Sequence, residues 1–472
     1  MKPMRISLIF RLPAMALAAS LAAGCAVGPA YQRPTAPEPA AFKEAQGWVP
    51  AAPGDALERG PWWTLFDDAE LNRLAERAAS ANQEVAAAVA NYEQARSLVA
   101  QARASLFPTV SLGAGADRAG GGERSPSNQY RVSIGGSWEP DLFGRLRNSV
   151  AAQRASAEAT AADLASARLA VQGELATNYF ALRQADAQRA LLATTVEGYQ
   201  RVLQITQNRF DAGIAARSDV LQAQTQLANA QSEALSLERQ RAQFEHAIAV
   251  LVGSAPADFA LAATPWQVVV PEVPAGVPSL LLQRRPDIAA AERDVAAANA
   301  DIGVARSAYF PSFGLTASYG NTASRVGDLF SASAAAWSFG LSAAQTLFNA
   351  GATRAGVAGA EARHQAAVAR YRQTVLGAFA DVEDQLAATR VLALQQDLRR
   401  QAAEAAGLVE EQILNRYKAG QVSYTEVVQA QVTALSARRA LVQVQADRQT
   451  SAVALIQSLG GGWRADQLHA AR

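Results

Sequence analysis

Several residue types are scarce in this chain, and each shortage excludes a class of chemistry. The 472 residues include one cysteine, Cys25, so no disulfide can form within the chain. The three methionines, Met1, Met4 and Met15, stand near the N-terminus, which leaves no methionine relay for soft metal ions beyond them. The three histidines are scattered, and no Gly-rich phosphate loop follows a strand. We therefore predict neither an enzyme nor a bound metal or other cofactor.

Net charge and long apolar runs are also lacking. The 43 basic residues nearly balance the 42 acidic ones, and a net charge of +1 predicts no affinity for nucleic acid. After Cys25 no apolar run reaches the roughly 18 residues that a transmembrane helix needs. Alanine is abundant within a hydrophobic content of 50%, and this composition favours long, closely packed helices.

The N-terminus has the pattern of a secretory signal. Basic residues precede an apolar run, and residues 1–24 are predicted to be removed as a signal peptide. Leu21-Ala22-Ala23-Gly24-Cys25 resembles a bacterial lipobox, so Cys25 is predicted to carry a covalent lipid. Ala26, by similarity to sorted lipoproteins, indicates the outer membrane. The alternative is an ordinary signal peptide that happens to end at a cysteine.

The chain contains the same unit twice. Phe107-Pro108 opens an alternating segment, and Phe310-Pro311 opens another one 203 residues later. Arg209-Phe210-Asp211-Ala212-Gly213 recurs as Arg416-Tyr417-Lys418-Ala419-Gly420, 207 residues later. Two anchors with nearly the same offset indicate a duplicated supersecondary unit.

Each unit is predicted to contain a β-hairpin. Alternation of apolar with polar or small residues predicts strands at about 108–118 and 130–139, joined by a loop over 119–129. The second copy has the same pattern at about 311–320 and 335–346. Each strand is roughly ten residues long, which suffices to cross a bilayer when tilted. A pair of soluble hairpins in a periplasmic sheet is the alternative.

Each hairpin precedes a helical pattern of unusual length. Apolar residues at steps of three, four or seven predict helices over 145–210 and 352–417, each about 100 Å long at about 1.5 Å per residue. A glycine ends each of them, and a second helix returns over 218–252 and 425–459. The near-heptad spacing predicts coiled-coil packing against neighbouring helices.

Four bilayer-length strands do not make a membrane barrel by themselves. An open sheet edge leaves backbone groups without partners in hydrocarbon, and the smallest closed membrane barrels have about eight strands. If these strands enter a membrane, several chains must share one barrel.

The motifs, taken in order, resemble a known family, the TolC-like outer membrane efflux proteins, and within it the lipoprotein branch that includes OprM and NodT relatives. The segments that carry this resemblance are Cys25-Ala26-Val27-Gly28-Pro29-Ala30-Tyr31-Gln32-Arg33-Pro34, Trp62-Trp63-Thr64-Leu65-Phe66-Asp67-Asp68, the two Phe-Pro strand openings, Glu139-Pro140-Asp141-Leu142-Phe143-Gly144 and Leu282-Gln283-Arg284-Arg285-Pro286-Asp287-Ile288.

The resemblance implies a mainly α fold with a membrane β-barrel. In the implied homotrimer, four strands from each chain close a twelve-stranded barrel that an α-helical tunnel continues through the periplasm. The implied function is the outer membrane channel of a tripartite efflux system, a passive exit duct for small molecules such as drugs or toxic compounds. The implied partners are a periplasmic adaptor (membrane fusion) protein, an inner-membrane pump of the RND type and outer membrane lipid. A non-pore periplasmic coiled-coil adaptor or scaffold lipoprotein is the alternative.

The predicted organisation follows the duplication. It comprises a signal peptide (1–24), an extended N-terminal segment (25–61), the first repeat (62–260), a linker (261–285), the second repeat (286–460) and a C-terminal tail (461–472).

The turns between the long helices are the predicted site. Asp219 and Glu426 each stand six residues after a turn glycine, where the family brings coiled-coil tips together at a periplasmic constriction. Threefold symmetry would place six such carboxylates around one opening, which would raise their pKa values and favour cations. The alternative is that both residues only cap or solvate a helix start. Gly213 and Gly420 are predicted to take positive φ at the turns.

The candidate partners that would hold this ring shut are Arg209, Arg416 and Tyr417. Two positions depart from the family pattern. Gln429, with Gln222 as its equivalent, stands where many relatives carry an aspartate, and Val422 stands where some carry an arginine. The set of contacts that holds the ring of carboxylates shut is therefore predicted to be weaker or built differently.

Overall fold

The computed structural model describes residues 27–37, 39–45, 61–122, 124–273 and 284–464. The predicted lipidation site Cys25 and the signal peptide lie outside these residues, as does most of the C-terminal tail. Among the described residues, none of the helices carries an apolar stretch long enough to cross a membrane.

The described chain forms long helices and one sheet. In chain order the elements are α1 (Ala69–Ala81), α2 (Gln83–Ala104), β1 (Thr109–Gly121), β2 (Arg124–Trp138), α3 (Arg145–Asp211), α4 (Arg217–Leu251), α5 (Pro286–Ser307), β3 (Ser312–Ala323), β4 (Ala335–Ala344), α6 (Ala352–Lys418) and α7 (Tyr424–Ser458).

The helices of the two copies have equal lengths. α2 and α5 have 22 residues each, α3 and α6 have 67, and α4 and α7 have 35. The interval from the first strand to the long helix is 36 residues in the first copy (145 − 109) and 40 in the second (352 − 312). This difference of four accounts for the change of offset from 203 to 207. The duplication therefore extends over every pair of these helices.

The four strands form one antiparallel sheet in the order β1-β2-β3-β4. Its register aligns Leu112 with Ile134, Ile134 with Tyr319, and Tyr319 with Trp337. Side chains at aligned positions point to the same face of a sheet, so these four form a row across it. All four are exposed.

The prediction of a loop over 119–129 is wrong, because strand pairing continues into this segment. Ala119 pairs with Ser127, and Gly121 pairs with Arg124 after a register irregularity, so the hairpin extends well beyond the apolar alternation. The ladder is made by backbone N–H and C=O groups, and therefore glycine and polar residues prolong it without an apolar face. β1 and β2 have 13 and 15 residues as a result.

Capping and glycine geometry set the start of each long helix. The Asp141 carboxylate accepts hydrogen bonds from the backbone N–H of Leu146 (3.2 Å) and Arg147 (2.9 Å), which satisfies the first turn of α3. Gly144 has φ +81° immediately before α3, and Gly351 has φ +89° immediately before α6. The residue preceding each long helix is thus a glycine in a conformation that other residues rarely adopt.

The described residues fall into two compact units. The first comprises segments within 1–36, 91–161 and 290–373 and contains the sheet. In it Asn299 Nδ2 donates to the Pro29 carbonyl (2.9 Å), which ties the extended N-terminal segment to α5.

The second unit comprises segments within 37–90, 162–289 and 374–472, and it contains both helix-to-helix turns. Asp68 is the N-cap of α1 and accepts the backbone N–H of Glu70 and Leu71 at 2.9 and 3.0 Å. Pro286 is the first residue of α5, where its missing N–H has no cost. The Arg285 guanidinium forms an ion pair with the Asp287 carboxylate, with Nη2 and Oδ2 2.7 Å apart.

Candidate functional site at the two helix turns

The two helix-to-helix turns have nearly the same backbone. Each connection is five residues long, 212–216 in the first copy and 419–423 in the second. Gly213 has φ +74° and Gly420 has φ +76°. Each glycine N–H donates to the carbonyl three residues earlier, at 2.8 Å for Gly213 and 2.9 Å for Gly420. The following residue donates to the carbonyl five residues earlier, which is the Schellman pattern of helix ends.

The two acidic residues stand at equivalent places but have different partners. Asp219 and Glu426 both lie in the first turn of their helices, where the helix dipole favours a negative charge. The Glu426 carboxylate accepts the backbone N–H of Ser423 (3.2 Å) and the Ser423 hydroxyl (3.4 Å). α4 begins after Ala216, which has no side-chain acceptor, and Asp219 makes no such backbone bond within the described chain.

Two tyrosines of the second turn form the centre of a small core. Tyr417 is 2% exposed and Tyr424 is 3% exposed, with their ring centroids 5.5 Å apart. Burial raises the pKa of the Tyr424 hydroxyl above its ordinary value, and the negative charge of Asp219 adds to this effect. The residues packed in and around this core come from α3, α4, α6, α7 and the second turn, and they are Val202, Leu203, Ile205, Ala223, Ile413, Leu414, Val422, Val427 and Val428.

Arg209 joins the first hairpin to the second turn. Its guanidinium carbon lies 4.8 Å from the centroid of the Tyr417 ring, and its Nη1 donates to the carbonyls of Tyr417 (3.2 Å) and Lys418 (3.4 Å). These carbonyls end α6, where the helix dipole is negative, so the contact combines a cation–π interaction with a charge-assisted helix C-cap. Thr206 also approaches the Tyr417 hydroxyl (3.4 Å).

The structure therefore brings together only some of the predicted residues. Arg209 and Tyr417 are in contact, whereas Arg416, Gln222 and Gln429 are exposed. Over the described ranges, neither Asp219 nor Glu426 forms an ion pair or hydrogen bond with the three candidate partners. The carboxylates and the arginine–tyrosine contact are thus separate features within one chain.

Tyr424 is the tip residue that sequence reasoning missed. Its equivalent in the first copy is Arg217, because 424 − 207 = 217. The signal in the sequence is the difference between the two copies at this position. Directly after the turn, the first copy has a cation and the second has an aromatic residue. Across the part of the chain that the structure covers, no group of three or more His, Cys, Asp or Glu side chains is placed to hold a metal ion.

Comparisons with known proteins agree over nearly the whole chain. A family model described as "Outer membrane efflux protein" matches residues 74–254 and 277–461. The chain is 33% identical over 463 residues to the "Probable efflux pump outer membrane protein TtgC" of Pseudomonas putida, which covers 96% of each chain. It is 30% identical over 448 residues to the "Cation efflux system protein CusC" of Escherichia coli, with 93% of this chain and 96% of that protein covered.

A solved structure has the same fold. The outer-membrane channel OprN superposes with a TM-score of 0.87 at 32% sequence identity, covering 93% of this chain and 100% of that one.

Proposed function

Because the chain belongs to the outer membrane efflux protein family, we propose that it is the outer membrane duct of a tripartite efflux system. In this proposal three chains assemble, their sheets close a barrel in the outer membrane, and their long helices continue the conduit into the periplasm. A periplasmic adaptor and an inner-membrane pump of the RND type are the proposed partners. Small molecules such as drugs or toxic compounds are the proposed cargo, which passes without chemistry by the duct itself.

The observation that carries this proposal is the exposed apolar face of the sheet. Besides the row through Leu112 and Trp337, the register places further exposed apolar side chains on that face, and they are Val110, Phe339 and Leu341. An apolar band of this kind suits contact with lipid acyl chains. The sheet also ends in two edge strands, β1 and β4, which would pair with the edges of neighbouring copies.

The alternative, a non-pore scaffold lipoprotein, does not account for such an apolar band. A periplasmic adaptor made of coiled coils would expose an aggregation-prone apolar sheet to water. Helices alone would serve that role.

Fractionation and conductance test the duct. Outer membranes should contain a complex of three chains that migrates as such in unboiled gel samples and separates into single chains on boiling. The purified complex should form ion-conducting pores in planar bilayers. Recovery of a single chain from the periplasmic fraction, with no conductance, would favour the scaffold.

We also propose that Asp219 and Glu426 line the periplasmic constriction of the assembled duct. What supports this is their equivalent position beside the two turns, together with their exposure: Glu426 is exposed and Asp219 is half-buried. Gln222 and Gln429 lie one helical turn further along the same helices and are exposed as well. Carboxylates at a narrow opening attract cations.

The same bilayer recordings test the constriction. The double variant Asp219→Ala with Glu426→Ala should lose cation selectivity or show higher conductance. Glu238→Ala with Glu404→Ala is the matched control, because it removes the same charge from exposed positions elsewhere on α4 and α6. Unchanged selectivity and conductance in the first variant would remove both residues from the constriction.

Lipidation of Cys25 and outer membrane anchoring complete the proposal. Its support is the lipobox-like sequence before Cys25. Mass spectrometry of the N-terminal peptide should find Cys25 as the first residue with acyl chains attached, and Cys25→Ala should abolish this modification.

A further inference from the structure

Arg209 contacts Tyr417 within the chain. The equivalent residues of the other copy, Arg416 and Phe210, make no such contact with each other among the described residues. Arg209 and Val202 lie on one side of the first helical hairpin, and we call these two residues and their equivalents Arg416 and Val409 the arginine faces. The surface that receives Arg209 carries Tyr417 and Lys418, and Val428 packs against the same tip core. We call these residues the aromatic face of the second hairpin.

The offset of 207 locates the corresponding aromatic face of the first hairpin. It consists of Phe210, Asp211 and Leu221, since 417 − 207, 418 − 207 and 428 − 207 give these numbers. The helices of the two hairpins are equal in length, the turn glycines agree in φ within two degrees and both turns have the same terminal hydrogen bonds, so equivalent residues occupy equivalent places on each hairpin.

Burial separates the used pair of faces from the unused pair. Val202 is 3% exposed within the tip core, whereas its equivalent Val409 is 51% exposed. Val428 packs against that core, whereas its equivalent Leu221 is 51% exposed. One arginine face and one aromatic face thus remain uncovered, and each carries an exposed apolar side chain whose equivalent packs in or against the tip core.

Charge favours the same pairing. Arg209 approaches the end of α6 beside Lys418, a residue of its own sign. Arg416 would approach the end of α3 beside Asp211, because Asp211 replaces Lys418 at the equivalent position. An arginine that stacks on Phe210, donates to terminal carbonyls and faces a carboxylate gains a charge pair that the internal contact lacks.

We propose that the uncovered arginine face of one chain docks on the uncovered aromatic face of a second copy of this chain. Arg416 then lies over Phe210 of the second copy and donates to the α3 end of that copy, as Arg209 does to the α6 end of its own chain. Repetition of this contact around an axis joins hairpins alternately within and between chains. The inference rests on the proposed function, because it requires several copies in one complex.

Crosslinking distinguishes contacts between chains from contacts within a chain. The variant with Arg416→Cys and Asp211→Cys, treated in outer membranes with a short bismaleimide, should give covalent dimers and trimers on denaturing gels. The matched variant with Arg209→Cys and Lys418→Cys should react within one chain and keep the mass of a single chain. Each single cysteine variant is the control for reaction through Cys25.

A charge exchange supplies a second measurement. Arg416→Glu should lower the temperature at which the complex separates in gel samples, and the added change Asp211→Arg should restore it. A general loss of folding would not be rescued in this way.

Each outcome has a distinct meaning. If complexes of three chains conduct but the Arg416→Cys and Asp211→Cys pair gives no interchain product and the charge exchange gives no rescue, the inference is overturned while the proposed function stands. A crosslinked product whose mass is not a multiple of the chain mass would likewise overturn it, because another protein would then cover the face. If no complex of three chains exists, both proposals fail.

Discussion

The two helix-to-helix turns share a backbone but differ in side-chain chemistry. Both have a glycine near φ +75° and the same pair of terminal hydrogen bonds. The second turn carries Tyr417 and Tyr424, with Glu426 bonded to the backbone of Ser423, whereas the first carries Phe210 and Arg217 at the matching places. The two copies therefore share the residues that the turn geometry requires and differ in the residues that form the surface of each turn.

This difference has a consequence for symmetry. Two copies per chain and three chains would give six equivalent hairpins if the copies were identical. Because Tyr417, Lys418 and Tyr424 of the second copy correspond to Phe210, Asp211 and Arg217 of the first, contacts within a chain and contacts between chains would differ chemically in the proposed trimer. In that trimer a threefold arrangement of unlike contacts would replace a sixfold one at the tip.

The largest expected difference between the turns concerns their aromatic residues. Tyr417→Ala should destabilise the tip by about 3–5 kcal/mol, because it removes a buried ring from a packed core. Phe210→Ala should cost about 1–2 kcal/mol, since Phe210 is only half-buried in the chain. Hydrogen exchange of the amides at each turn measures the free energy of local opening. A larger loss for Phe210→Ala would reverse the order that the burial predicts.

Alanine at the turn glycines should have equal effects in both copies. Gly213→Ala and Gly420→Ala should each cost about 1–2 kcal/mol, because a Cβ strains a left-handed conformation even where space is open. Gly198→Ala is the matched control within α3, where nothing lies within 4 Å of the added Cβ and φ is helical, so stability should rise by about 0.5–1 kcal/mol. Unfolding of the turns by denaturant, followed by hydrogen exchange, compares the three. Clearly unequal losses at the two turns would show that their backbones are not equivalent.

The smallest expected difference lies at the helix starts. Ser423→Ala should weaken the start of α7 by about 0.5–1 kcal/mol, and Ala216→Ser should strengthen the start of α4 by a similar amount. Protection of the first-turn amides of each helix measures both changes. If Ala216→Ser leaves α4 unaltered, the helix starts differ by more than their N-cap residues.

Much of the fold was predictable because its signals are local. The predicted helix over 145–210 is observed as Arg145–Asp211, and the one over 352–417 as Ala352–Lys418. Periodicity along a helix and a glycine at its end depend on residues that are near in sequence. The hairpin turn was misplaced because strand pairing at its end is made by the backbone, and side-chain alternation carries no information about it.

The candidate site was less predictable. Arg209 and Tyr417 were both singled out, but as partners of the carboxylates rather than of each other. Their contact joins residues 208 positions apart, and no pattern along the chain identifies which of two duplicated faces will be covered. Tyr424 was missed for the same reason, since its role depends on packing against Tyr417.

The sequence by itself determined the duplicated units, the lengths of their helices, the positive-φ glycines at the turns and the membership of the outer membrane efflux family. These follow from local conformational preference and from motifs in order along the chain. Only the tertiary structure decided that Arg209 packs on Tyr417 while Arg416, its equivalent, stays exposed. The reason is that an arginine stacks only where folding brings an aromatic ring to it, and within the chain folding brings Tyr417 to Arg209.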